Sequence, residues 1–332
     1  MGPPNICINT LKFKVKKKGF VMGKIAFVFP GQGSQYVGMA KDFYDNLPAS
    51  REVFEIAEKA SGLDMKALCF EENENINITE YTQIAMMAAE IAILKAVEER
   101  GIKPDVTAGL SLGEYGALYV AGVMGLKDLF KVIRKRGIYM QEAVPIGGAM
   151  TAVLGLDTAV IEEVCEKTPG AVQIANYNCP GQIVITGEEA AVTAAAEGLA
   201  EAGAKRCIPL KVSGPFHSPL LAEAGKKLGE ELAQVTLGEI RVPYLTNVTA
   251  DYVKDVAEVK DLLEKQVSSS VRWQQSVEKM IADGVDTFVE IGPGRTLSGF
   301  VKKINKEVTA INIEKWEDLE KLAVLQAQSV NE

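Results

Sequence analysis

The sequence predicts an α/β protein: a core built on a parallel sheet, interrupted by a small inserted β-α-β-β-α-β unit. Three observations predict it. Short apolar runs at Lys24–Phe29, Val106–Ala108 and Val285–Ile291 are each followed by a Gly-rich turn and a helical pattern, as buried parallel strands are. From Ala149 to Val212 the order changes to strand, helix, two strands, helix, strand, which is the order of a ferredoxin-like unit. The 47% hydrophobic content over 332 residues suffices for one large domain with an insertion or for two domains. The expected boundaries are 22–147 with 212–315 for the large domain, 148–211 for the small one, and 316–332 for a C-terminal helix or tail.

Residues 1–21 read as an upstream extension. The first 24 residues hold six Lys and no acid, and Met22-Gly-Lys before a strand looks like a natural start. No long apolar run follows the lysines, so a secretory signal fits poorly, and no run in the chain suits a membrane span. The Lys cluster reads as a solvated arm. The net charge of −8 argues against general nucleic-acid binding. Five Cys (Cys7, Cys69, Cys165, Cys179, Cys207) contain no C-x-x-C pair. That fits reduced thiols in a reducing compartment, and with one His it offers no metal constellation.

Along the chain, Lys24–Phe29 is the first strand. Pro30-Gly-Gln-Gly-Ser-Gln35 leads into a helix over about 37–44. Gly31-x-Gly33 lacks the third Gly of a dinucleotide turn and the Lys of a phosphate loop, so Gln32 reads better as a donor to a reacting oxygen. Helical patterns cover about 50–60, 81–100 and 126–143. Asp157 suits the N-cap of a helix to Lys167. Val172–Asn176 and Gln182–Thr186 read as strands, Glu188–Ala202 as a helix and Arg206–Val212 as a strand. Beyond, a helix is expected to about Ala233, a strand over Arg241–Val248, helices over about 256–266 and to Ala282, and a polar, frayed helix from about Glu314. Gly292-Pro-Gly-Arg295 reads as a tight strand-to-helix connection.

The chemistry centres on Gly109-Leu-Ser-Leu-Gly113. Strand, sharp turn and helix around Gly-x-Ser-x-Gly form the context of a nucleophile elbow, with Ser111 at a helix N-terminus that favours negative charge. Serine needs a base. The chain has one histidine, His217, in the loop Ser213-Gly-Pro-Phe-His217, so an imidazole base can only be His217. In the 126–143 helix, Arg136 and Met140 share a face, and Arg134 and Lys135 point elsewhere and read as solvated. By composition alone Arg136 reads as a surface charge.

Phe29-Pro-Gly-Gln-Gly-Ser-Gln35, Gly109-Leu-Ser-Leu-Gly-Glu-Tyr115, Arg136-Gly-x-x-Met-Gln141, Gly214-Pro-Phe-His-Ser218 and Glu290-Ile-Gly-Pro-Gly294 occur in the order seen in malonyl-CoA:acyl carrier protein transacylases. The resemblance spans Met22 to about Ile313. It implies a hydrolase-like α/β core with a ferredoxin-like insert, a cytoplasmic monomer, no permanently bound cofactor, malonyl-CoA as substrate and holo-acyl carrier protein as partner. It implies that Ser111 is the acyl acceptor and His217 its base, that the Gln266 carbonyl orients the imidazole, and that backbone N–H groups of Gln32 and Leu112 form the oxyanion hole. It also turns Arg136 into the partner of the malonyl carboxylate. Phe216 is expected to narrow the site against a C2 methyl, and Met140 to line it. Many relatives have His before the nucleophile; this chain has Leu110. The competing readings are a serine esterase or thioesterase, a stand-alone polyketide acyltransferase, and a non-catalytic carrier-binding scaffold. The order Ser, acid, late His of the hydrolases does not fit the position of His217.

Overall fold

The computed structural model describes residues 23–144, 146–212 and 214–329. The expected extension, 1–21, and Cys7 within it lie outside the described residues.

The elements run β1 (Lys24–Phe29), α1 (Lys41–Asn46), α2 (Pro48–Ser61), α3 (Met65–Phe70), α4 (Thr79–Glu99), β2 (Val106–Gly109), α5 (Gly113–Val120) and α6 (Leu126–Ala143). There follow β3 (Gly148–Leu154), α7 (Thr158–Lys167), β4 (Val172–Cys179), β5 (Gln182–Glu188), α8 (Glu189–Glu201) and β6 (Arg206–Pro209). The chain continues through α9 (Ala222–Ala233), α10 (Val259–Gln266), α11 (Trp273–Ala282), β7 (Val285–Ile291), α12 (Thr296–Ile304), β8 (Thr309–Ile313) and α13 (Ala323–Ser329).

Two four-stranded sheets result. One is parallel, in the order β2-β1-β7-β8; the other is antiparallel, in the order β4-β5-β3-β6. Ala26 to Phe29 are all buried because helices cover both faces of the parallel sheet. Phe27 and Phe29 face α4 and the large helical core, while Ala26 and Val28 face Trp273, Leu297 and Phe300 on the other side. From Ile84 to Leu94 every residue of α4 is fully buried, so this helix is apolar all round and runs through the core between α2 and α6.

The antiparallel sheet alternates by face. Val153, Ile174, Ile183 and Ile185 pack on α7 and α8. Their neighbours Ala152, Asn176, Gln182 and Val184 line a cleft shared with the parallel-sheet core. Asp157 caps α7 as expected, its carboxylate accepting from Ala159 N at 2.9 Å.

Several expectations need correction. The helix after Gln35 starts only at Lys41, because Gly38 and Ala40 take left-handed φ values of 92° and 59°. No strand forms over Arg241–Val248. That stretch follows the edge of β2 through Thr107 N to Pro243 O (2.9 Å) and Leu245 N to Thr107 O (3.2 Å), and then Asn247 turns into the site. The last small-sheet strand ends at Pro209, earlier than Val212. Helix α3 and strand β8 carry patterns too short to stand out in the sequence. The C-terminal segment is not simply polar: Leu319 and Leu322 are buried, and the Trp316 ring meets Phe43 edge-on at 5.5 Å.

Candidate active site

The parallel sheet brings the elbow to its edge of the cleft. Ser111 has φ 54°, the left-handed region that costs a non-glycine residue about 1–3 kcal/mol. The glycines on either side are there for space. A Cβ on Gly109 would lie 2.0 Å from Gly113 C, and one on Gly113 would lie 2.1 Å from Phe29 O. The sharp turn therefore packs directly on the end of β1. Leu110 packs against the Pro30–Gln35 loop, where a Cβ on Gly31 would meet Leu110 O at 2.8 Å.

Ser111 Oγ lies 2.7 Å from His217 Nε2. His217 is buried and also has positive φ, 60°. Its Nδ1 lies 2.9 Å from Gln266 O and 3.1 Å from Ser269 O. Two carbonyls can only accept, so the proton sits on Nδ1 and Nε2 is free to accept from the serine hydroxyl. Burial, and then the positive charge of Arg136, push the imidazole pKa down to about 4, while the two carbonyl bonds pull the other way. The ring is neutral at physiological pH. The small sheet helps to hold the histidine loop: Gln173 Nε2 of β4 donates to His217 O at 2.7 Å.

Arg136 projects from α6 into the same space and is 1% exposed. Its Nη1 donates to Gln83 Oε1 (2.8 Å); its Nη2 donates to Gln266 Oε1 (3.0 Å) and to Ser111 Oγ (3.2 Å). Among the described residues, no carboxylate oxygen forms an ion pair with this guanidinium, and its Nε has no hydrogen-bond partner. It is a buried cation held by neutral amides beside an alcohol. Burial lowers its pKa, with Tyr115 and Glu114 opposing, but a guanidinium stays charged.

The cleft measures about 260 Å³. Gln32, Leu112, Met140 and Phe216 line it together with Ser111, His217 and Arg136, so every site residue expected from the sequence except Gln266 faces the cavity itself. Gln266 lies just behind, with its carbonyl 2.9 Å from His217 Nδ1. The Gln32 side chain is turned away to Thr79 Oγ1 at 3.1 Å. Met140 is buried, with its Sδ 3.4 Å from Gln83 Nε2. Arg134 is a correction: it is not free in solvent but pairs with Glu80 at 2.9 Å and lies over the Tyr81 ring.

Four features escaped the sequence reading: Gln83, Asn247, Glu114 and the side chain of Gln266. Gln83 sits inside an apolar helix. Asn247 sits in a run read as a strand, where Asn is disfavoured; that mismatch was the available signal. Among the described residues there is no group of three or more His, Cys, Asp or Glu able to hold a metal, and no helix long and apolar enough to cross a membrane.

Residues 26–323 match the family model described as the acyl transferase domain. A malonyl CoA-acyl carrier protein transacylase of Bacillus subtilis is 46% identical over 304 residues, covering 90% of this chain and 96% of the relative. The crystal structure of a malonyl CoA-acyl carrier protein transacylase from Clostridium perfringens superposes with a TM-score of 0.89 at 45% identity, over 92% of this chain and 98% of that one. A malonyl-transacylase solved in complex with a type II PKS acyl-carrier protein has a TM-score of 0.87 at 38% identity, over 90% of this chain and 98% of that one. On these matches the chain belongs to the acyl transferase domain family and, within it, to the malonyl CoA-acyl carrier protein transacylases.

Proposed function

We propose that the protein transfers the malonyl group of malonyl-CoA to the phosphopantetheine thiol of holo-acyl carrier protein through a malonyl-Ser111 intermediate, supplying extender units for fatty-acid synthesis. The single observation that carries the substrate choice is Arg136: a buried cation without an ion-pair partner among the described residues, 3.2 Å from Ser111 Oγ, at the wall of a cleft of about 260 Å³.

His217 Nε2 takes the Ser111 proton as Oγ attacks the thioester carbonyl, and Nδ1–H stays on the Gln266 and Ser269 carbonyls as the ring becomes cationic. Backbone N–H groups of Gln32 and Leu112 receive the oxyanion; one such donor is worth about 3–4 kcal/mol. The tetrahedral adduct collapses, the C–S bond breaks, and the CoA thiolate takes the proton from His217. The carrier thiol then attacks malonyl-Ser111, giving its proton to His217, and the serine leaves with that proton. Two half-reactions through one acyl-enzyme give ping-pong kinetics.

Arg136 gives malonyl its advantage because a guanidinium matches a carboxylate with two parallel hydrogen bonds. An acetyl group would leave the cation buried and unpaired. Phe216 narrows the site against a C2 methyl, and Met140 supports the arginine's neighbourhood. A hydrolase reading is not favoured, since among the described residues two backbone carbonyls and no carboxylate back His217, and the acyl-enzyme is expected to wait for a thiol.

The fold reading is of a hydrolase-like core, 22–147 and 212–315, with a ferredoxin-like insert, 148–211, and a tail, 316–332. The strand order β4-β5-β3-β6 supports the insert. The enzyme is read as a cytoplasmic monomer that binds no nucleic acid.

Intact-mass spectrometry tests the proposal. Malonyl-CoA should add one malonyl group at Ser111, and holo-carrier should remove it. An adduct released to water at the same rate without the carrier would refute the transfer.

A further inference from the structure

Ser111 is held at both of its own peptide groups by side-chain amides. Its N–H donates to Asn247 Oδ1 at 2.6 Å, and its carbonyl accepts from Gln266 Nε2 at 2.9 Å. The other end of the Asn247 amide donates from Nδ2 to Gly109 O at 2.6 Å. One carboxylate oxygen, Glu114 Oε2, accepts from Asn247 N (3.0 Å) and from Gln266 Nε2 (2.7 Å). The two amides that grip the serine are thus tied to each other through one buried acid. Asn247, Gln266 and Glu114 are all 2% exposed or less.

This arrangement addresses a specific physical problem. A left-handed serine costs about 1–3 kcal/mol and persists only where its surroundings over-determine it. An Asn amide carries an acceptor and a donor in one plane. Here the acceptor meets the N–H of residue 111 and the donor meets the C=O of residue 109, so one rigid group spans the turn. Asn247 arrives with its own backbone fixed on both sides, by Glu114 at its N–H and by Arg272 N at its carbonyl (3.1 Å). Asn247 does not line the cleft.

We propose that Asn247 is a positioning residue for the nucleophile: its amide clamps Gly109 and Ser111 in the turn that aims Ser111 Oγ at His217 Nε2. The inference rests on reading Ser111 as the acyl acceptor. It assigns the amide to the geometry of the attack and not to substrate contact.

The test uses the full-length protein and two reagents: malonyl-CoA in single-turnover loading, and a fluorophosphonate, which modifies activated serines and carries no carboxylate. In Asn247→Ala both rates should fall about 100-fold, as a misaligned attack does, while KM for malonyl-CoA stays within about threefold of wild type. Asn247→Asp keeps the acceptor for Ser111 N–H but turns an unprotonated oxygen toward Gly109 O. Its rate relative to wild type should be low at pH 8 and rise as the pH is lowered, because a protonated carboxyl donates to that carbonyl. A purely structural asparagine predicts no such recovery. Folded Asn247→Ala reacting with both reagents within about threefold of wild type, or losing only in KM, would overturn the proposal. Should Asn247→Ala not fold, Asn247→Asp decides: a wild-type rate with a flat pH ratio overturns it. Wild-type reaction with the fluorophosphonate but not with malonyl-CoA would refute the substrate reading, and the fluorophosphonate rates would then decide on Asn247.

Discussion

Arg136 Nη2 lies 3.2 Å from Ser111 Oγ, so the residue read as the acid selector is within hydrogen-bond reach of the residue read as the nucleophile. The guanidinium is poised between two demands. If it binds the malonyl carboxylate it gains a counter-charge for its burial, and its charge lowers the pKa of the imidazole read as the base.

Removing the cation should therefore separate substrates. Losing one member of a buried charge pair costs about 3 kcal/mol, so Arg136→Ala should lower kcat/KM for malonyl-CoA by about 100-fold. Acetyl-CoA should lose far less, because it makes no such pair. The two ratios from steady-state kinetics check this; equal losses would contradict the carboxylate role.

The imidazole should titrate low. With its pKa pushed down to about 4 by burial and by Arg136, His217 remains a competent base well below its ordinary range. The acid limb of kcat/KM should fall near pH 4, not near 6.5. His217 is the only histidine, so one imidazole signal in NMR reads the same titration directly. Arg136→Ala should move it upward, since a repelling charge is lost. The sign for stability follows: the unfolded chain binds the proton first, so stability present above pH 6.5 is lost as the pH falls toward 4. Chemical denaturation over that window should show a loss of up to about 3 kcal/mol from this group.

Phe216 lines the cleft immediately before the base and is nearly buried. Phe216→Ala opens space where a C2 methyl would fall. One methyl in an apolar site is worth about 1–3 kcal/mol, so the methylmalonyl to malonyl ratio of kcat/KM should rise about tenfold or more. An unchanged ratio would mean the methyl is excluded elsewhere.

Glu90 marks a weak point in the core. It is fully buried on α4, neither carboxylate oxygen has a hydrogen-bond partner among the described residues, and burial together with Glu290 pushes its pKa well above the usual carboxylate range. The folded state therefore holds a proton that the unfolded chain releases, and stability declines as the pH rises above about 4.5. Glu90→Gln removes that titration. Its stability relative to wild type should be greater at pH 8 than at pH 5, by about 1–3 kcal/mol in urea melts.

Much of the architecture was legible because it is written locally. Helix α6 and strand β7 fall where hydrophobic periodicity puts them, and Asp157 caps α7 through a bond two residues away. The pairing of Ser111 with His217 was legible for a different reason: an elbow needs a base, and the chain holds a single imidazole. Periodicity also placed Arg136 and Met140 on one face of α6. It could not say what covers that face, and composition made Arg136 look solvated. Only packing against α4 buried the cation and set Gln83 beside it. In the sequence Asn247 reads as part of a strand, because its partners, Gly109 and Ser111, lie more than 130 residues away in the chain. The sequence by itself determined which groups are read as reacting, since that reading depends on residue type and short-range turn geometry. The tertiary structure alone decided how they are charged, aimed and held, because hydrogen bonds between distant segments and the removal of water around a cation exist only once those segments meet.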